Sequence, residues 1–233
     1  MTQRTIEILS PFFITEDNLS SPEDLAELFP KKQPIALEIG CGTGHFIAEL
    51  AAKNLETNFL AIDIYNKGCY KTCKKIETEA LDNVLVMRIE ARYLLTHYIE
   101  KKSLAGVYIN CPDPWPKKRH RSRRLVNSSF MELLLHYLQP DGDFYFSTDF
   151  DDYAEQVAEI LPAARGYRNC LVAPLMTELP GYPISKYMQR FLDRGQPIYF
   201  MHYRKDGDVQ LTELPKPDIR AGFRTRWGRA SNE

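Results

Sequence analysis

From Ile35 onward, short runs of Val, Ile, Leu and Phe alternate with longer stretches in which apolar residues recur at helical spacing. The first kind reads as strands buried on both sides and the second as amphipathic helices. Their alternation predicts a mostly parallel sheet with helices on both faces. Strands are predicted at Ile35–Gly40, Phe59–Ile64, Val84–Glu90, Gly106–Cys111 and Asp143–Thr148, with helices at His45–Lys53, Lys67–Ala80, Arg92–Lys101, Arg123–Leu138 and Asp151–Leu161. Tyr167–Ala173 and Ile198–Arg204 read as added edge strands, and Pro174–Pro197, rich in Pro and Gly, as the loop between them. One α/β domain is expected over residues 34–215, after an N-terminal extension (1–33) of no evident task and before a basic tail (216–233) that carries Arg224, Arg226, Trp227 and Arg229.

In an open α/β sheet, ligands bind beyond the carboxyl ends of the strands. Polar residues gather there: Glu38 and Gly40, Asp63, Glu90, Asp113 and Asp149. The first strand enters Glu38-Ile-Gly-Cys-Gly-Thr-Gly44, where Gly40, Gly42 and Gly44 permit positive φ and close approach of a ligand. A pyrophosphate-binding loop would place its third glycine one position later, and the carboxylate of Glu38 would repel a pyrophosphate while suiting an ammonium or sulfonium. This favours S-adenosyl-L-methionine over a dinucleotide. Asp63 ends the next strand at the distance where such folds place an acid on the ribose hydroxyls, and Glu90 is expected beside the adenine edge.

A net charge of −1 gives no global sign of a nucleic-acid partner. The distribution does, because Lys117-Lys-Arg-His-Arg-Ser-Arg-Arg124 concentrates cations in one short run. It follows Asn110-Cys-Pro-Asp-Pro-Trp-Pro116, whose prolines restrict the backbone around Asp113 and Trp115 and so preset their side chains. Trp115 offers a face for a purine and the cations neutralise phosphates. The five cysteines and five histidines show no paired metal-ligand spacing, so no metal is expected. The absence of a long apolar run or signal-like start points to a cytoplasmic chain without membrane contact.

Together with Ser147-Thr-Asp149 and Ser185-Lys-Tyr187, the glycine loop and the Pro-Asp-Pro-Trp-Pro-Lys-Lys-Arg-His motif resemble the bacterial tRNA (guanine(46)-N7)-methyltransferase family, over nearly the whole chain. The resemblance implies a Rossmann-like class I methyltransferase fold and methyl transfer from S-adenosylmethionine to N7 of a guanine in the tRNA variable loop. It also implies a cofactor site lined by Glu38, Asp63, Glu90 and Asp113, with Asp113 catalytic. Lys117, Asp149 and Ser185, Lys186, Tyr187 and Met188 would hold the substrate, and Arg119, His120, Arg121, Ser122, Arg123 and Arg124 would contact the RNA. Two positions depart from the family pattern: Glu90 stands where an Asp is usual, and Met188 where a Glu is usual. The second departure motivates a rival, a tRNA-binding protein of the same fold without turnover. A methyltransferase for small molecules or proteins is another. Whether the chain acts as a monomer or a homodimer stays open.

Overall fold

A computed structural model of the 233-residue chain describes residues 6–22, 24–207, 209, 211 and 213–216. The expected basic tail lies largely outside the described residues. The chain divides into two compact units, the first running to Glu100 and the second beginning at Lys101.

In the first unit the strands are β1 (Phe13–Ile14), β2 (Ile35–Ile39), β3 (Asn58–Asp63) and β4 (Val84–Arg88), ordered β1-β4-β3-β2. The paired strands β1/β4, β4/β3 and β3/β2 run parallel. Every residue of β2 is buried, as are all but the last of β3 and β4. Their unbroken apolar runs are what a parallel strand covered on both faces requires. The helices α1 (Asp24–Glu27), α2 (His45–Lys53), α3 (Asn66–Thr78) and α4 (Ala91–Tyr98) complete the unit. Burying a side chain such as Phe59, Leu60 or Ile47 contributes about 1.5–3 kcal/mol each. The N-terminal extension is tied down: Phe12 O accepts from Val86 N at 2.8 Å, and the Asn66 side chain exchanges two hydrogen bonds with the Ile6 backbone (2.7 and 3.1 Å).

The second unit orders its strands β5-β6-β8-β7, namely β5 (Leu104–Asn110), β6 (Leu138–Thr148), β7 (Tyr167–Asn169) and β8 (Tyr199–Lys205). β5 and β6 are parallel, whereas β8 is antiparallel to both β6 and β7. Helices α5 (Ser128–Leu135), α6 (Asp151–Ala163) and α7 (Lys186–Leu192) belong here.

Three expectations change in this unit. The helix expected at 123–138 is confined to α5, because Asn127 caps it by accepting from Phe130 N at 3.0 Å, and the preceding Lys118–Arg123 forms a tight 3-10 turn. β6 begins at Leu138 rather than Asp143, crossing an irregularity in its register with β5. The loop expected at 174–197 contains α7, started by Ser185, whose Oγ accepts from Met188 N at 3.1 Å.

Candidate functional site

In the first unit, the glycine turn after β2 takes the backbone its composition suggested. Gly40, Gly42 and Gly44 have φ of +86°, +55° and +77°. They divide into two roles. A Cβ added at Gly40 or Gly42 would meet nothing within 4 Å, so the turn leaves an open cradle there. A Cβ on Gly44 would lie 2.8 Å from Thr72 Cα, and one on Gly68 would lie 2.5 Å from Gly42 O. Gly44, expected to face the cofactor, and Gly68, not singled out in the sequence, are therefore what allow α3 to pack against the turn. Thr72 closes that contact by donating to Gly42 O at 3.3 Å.

Asp63 braces the same turn: its Oδ2 accepts from Gly42 N and its Oδ1 from Tyr65 N, both at 2.8 Å. These bonds hold the carboxylate at the end of β3, beside the glycine turn. Glu38 is 1% exposed, an acid held in the floor beside the cradle. Glu90 is also buried, and both of its oxygens are engaged. Oε2 caps α4 by accepting from Tyr93 N (2.9 Å), and Oε1 meets Arg92 Nη1 (2.9 Å). Its first task is thus to start α4. A buried acid flanked by two positive-φ glycines over open space, with a second acid at the next strand end, suits a ligand carrying an ammonium, a sulfonium and a ribose.

In the second unit, β5 leads into the proline-rich loop. Cys111 and Trp115 adopt φ of +43° and +44°, a region non-glycine residues enter only when surroundings force them. The loop is thus held by more than its prolines, and Asp113, which is exposed, sits between the two strained residues. Cys111 N donates to Ser147 O at 2.8 Å, pinning the start of the loop to β6. Burial, followed by the charge of Asp149, pushes the Cys111 thiol up to about 12. Asp149 lies just beyond β6; burial raises its carboxyl above the ordinary carboxylate value, against the hydrogen bonds of its own backbone and of Cys111. Burial and then the charges of Asp149, Cys111 and Asp113 raise the Tyr187 hydroxyl, so Asp113, Asp149 and Tyr187 share one electrostatic neighbourhood.

The basic run is not uniform. Lys117, Lys118, Arg119, Arg121, Ser122 and Arg123 are exposed, as an RNA contact requires. Arg121 pairs with Asp152, and Arg123 lies over the Trp115 ring at 4.9 Å, covering a face expected to receive a purine. His120 meets the same ring edge-on at 5.8 Å. Arg124 is 0% exposed, which corrects its expected place among the RNA contacts. A second correction concerns Met188, also 0% exposed and packed with Ile198 and Phe200. Its side chain belongs to a small core beneath α7 and does not face a substrate, while Lys186 and Tyr187 are exposed. Met188→Glu, restoring the family's usual acid, is therefore expected to cost on the order of 3 kcal/mol of stability by burying an unpaired carboxylate. Thermal and urea melts check this, and an unchanged midpoint would place position 188 at the surface.

Sequence reading missed Asn110, whose Oδ1 accepts from Tyr182 OH (2.7 Å) and Ser147 Oγ (2.9 Å), joining the 174–185 stretch to β5 and β6. It also missed Asp152 and Gln156, which receive Arg124; their spacing on one face of a helix was the available signal. Among the described residues one group has the composition to hold a metal ion, Asp143, Cys170 and His202, with ligand atoms within 4.8 Å of one another. Arg204 Nε already donates to Asp143 Oδ1 at 2.8 Å, and the His202 ring contacts the same oxygen at 2.8 Å. The guanidinium thus supplies the positive charge a metal would bring. No helix among the described residues is long and apolar enough to cross a membrane.

A family model described as "Putative methyltransferase" matches residues 32–201. Among curated proteins, a tRNA (guanine-N(7)-)-methyltransferase of Syntrophotalea carbinolica is 54% identical over 97% of this chain and 98% of its own length. One of Geobacter metallireducens is 56% identical over 88% of this chain and 98% of its own. Among solved structures, the 16S rRNA methyltransferase KamB superposes with a TM-score of 0.60 at 12% identity, covering 88% of this chain and 97% of that one. An antibiotic-related methyltransferase does so with 0.57 at 18% identity, covering 87% and 96%. The two structures establish the α/β methyltransferase fold: its alternation of strands and helices was predicted from the pattern, and its methyltransferase type was implied by the resemblance.

Proposed function

The chain belongs to the tRNA (guanine-N(7)-)-methyltransferase family, and from that premise we propose that it transfers the methyl group of S-adenosylmethionine to N7 of guanine 46 in the tRNA variable loop. The observation that carries the cofactor assignment is the cradle: positive-φ glycines at 40 and 42 facing open space, with buried Glu38 beside them and Asp63 at the next strand end. Glu38 would take the amino-acid ammonium and Asp63 the ribose hydroxyls. Glu90, by starting α4, would shape the adenine side.

When bound, S-adenosylmethionine supplies an electrophilic methyl on a sulfonium. Guanine N7 presents an in-plane lone pair and carries no proton, so its attack requires no general base. Transfer would form the N7–carbon bond at the expense of the carbon–sulfur bond, whose electron pair would stay on sulfur, and would leave the purine cationic. The protein's task is then alignment and stabilisation of that charge. Asp113 is the carboxylate assigned to it, and Asp149 would accept from the guanine N1–H and N2 amino edge. On this reading Asp149 would make that contact alone, without an acid at 188. Lys117, Ser185, Lys186 and Tyr187 would hold the nucleoside, while Lys118 and Arg119 would lie on phosphates.

The test incubates the protein with unmodified tRNA and methyl-labelled S-adenosylmethionine, followed by digestion and nucleoside identification. Label in 7-methylguanosine mapped to the variable loop is the expected result. Label in another nucleoside or position would refute the assignment, and tight, salt-sensitive tRNA binding without label would favour a binding protein.

A further inference from the structure

Arg124 is the largest side chain in the described structure that is fully buried, and its guanidinium is used on every side. Nε donates to Pro114 O at 2.7 Å. Nη1 donates to Gln156 Oε1 at 2.5 Å and Asp152 O at 3.2 Å, and Nη2 to Asp152 Oδ2 at 2.6 Å. The group also lies over the Tyr153 ring at 4.7 Å and near that of Phe150 at 5.8 Å. Desolvating a guanidinium costs several kcal/mol unless such partners replace its water.

What these partners carry is the point. Pro114 follows Asp113 directly, so the Nε bond fixes the Pro114–Trp115 peptide, one residue beyond the catalytic carboxylate. Asp152 and Gln156 lie in the opening turns of α6, which begins two residues after Asp149. One planar fork therefore spans the loop bearing Asp113 and the turn bearing Asp149. We infer that Arg124 is a positioning residue, which sets the geometry of Asp113 against Asp149 through its bonds to Pro114 O and the start of α6 and makes no contact with RNA. The inference rests on Asp113 being the catalytic carboxylate. The strained φ values at Cys111 and Trp115 fit it, because a loop held away from its preferred backbone needs an external brace.

Arg124→Lys separates the possibilities. Lysine keeps a charge for Asp152 but cannot reach Pro114 O, Asp152 and Gln156 together, since it lacks the planar fork. Single-turnover methylation at saturating tRNA and S-adenosylmethionine is expected to fall about 100-fold, the scale of a misplacement near 1 Å. The tRNA Kd should stay within about twofold and its salt slope unchanged, because no phosphate contact is lost. A salt slope shallower by about 1 would overturn the inference and restore Arg124 as an RNA contact. A lowered melting temperature with an unchanged single-turnover rate would overturn it in favour of a purely structural role.

Should Arg124→Lys fail to fold, Gln156→Leu removes one arm of the fork and keeps the ion pair. It should lower the rate about tenfold, and an unchanged rate there overturns the inference. Asp113→Asn run in parallel keeps the two readings apart: full activity in that variant defeats the catalytic assignment itself, whereas its loss beside a normal Arg124→Lys defeats only the positioning role.

Discussion

Asp113→Asn is expected to slow methyl transfer at saturating tRNA by roughly 10²–10³-fold, the range found when one pre-aimed electrostatic contact to a developing charge is removed. The substitution keeps shape and removes the negative charge that faces a purine becoming cationic. Asp113 is exposed on a loop held by its neighbours, through Cys111 N on Ser147 O and Pro114 O on Arg124, so the loop should keep its course. S-adenosylmethionine affinity and melting temperature should therefore change little. Rapid-quench assays with labelled cofactor measure the rate, calorimetric titration the affinity and thermal melts the stability. A rate within threefold of the parent would remove Asp113 from the chemistry. A parallel loss of cofactor affinity would make it a binding residue first.

Gly44→Ala is expected to cost both fold stability and cofactor affinity, and Gly40→Ala mainly the second. At Gly44 the added methyl meets Thr72 backbone at 2.8 Å on top of a φ of +77°. Left-handed backbone costs an alanine about 1–2 kcal/mol and overpacking a further 1–3 kcal/mol. Relief requires α3 to move off the turn, which disturbs Gly42 and its bond to Asp63. A loss of cofactor affinity of at least tenfold, with an earlier melt, should follow. At Gly40 the methyl enters open space, so the fold bears only the backbone strain at φ +86° while the methyl occupies the cradle. Urea melts and titration with S-adenosylmethionine compare the pair. Equal losses of stability and unimpaired binding in Gly40→Ala would mean that the cradle faces no ligand.

The parts of this molecule legible in the sequence are those with local causes. Short apolar runs bounded by turn residues read as buried strands, and β2, β3 and β4 lie where those runs are. Glycines at every second position after a strand permit a turn with positive φ, and Gly40, Gly42 and Gly44 adopt it. α2 coincides with its predicted span because Gly44 starts it and its apolar face is regular. The motif around Asp113 was visible because prolines, an acid and a tryptophan beside a basic run have few bland explanations.

What sequence could not assign was which of several chemically equal side chains meets which partner. Six cations in one run carry the same charge, yet Arg124 is buried and bonded to Pro114 O, while the five others stay exposed, Arg121 paired with Asp152 and Arg123 over Trp115. That division depends on α6 arriving with Asp152 and Gln156, residues distant in the chain. Met188 looked like a lost substrate contact until α7 turned it into a core with Ile198 and Phe200. The grouping of Asp143, Cys170 and His202 likewise exists only because β6 and β8 pair antiparallel. Periodicity and backbone chemistry are written residue by residue, so the sequence alone determined β2, β3 and β4, the glycine turn and the family. Burial and pairing are properties of contacts between distant segments, and for each cation and for Met188 only the tertiary structure decided the burial and the partners.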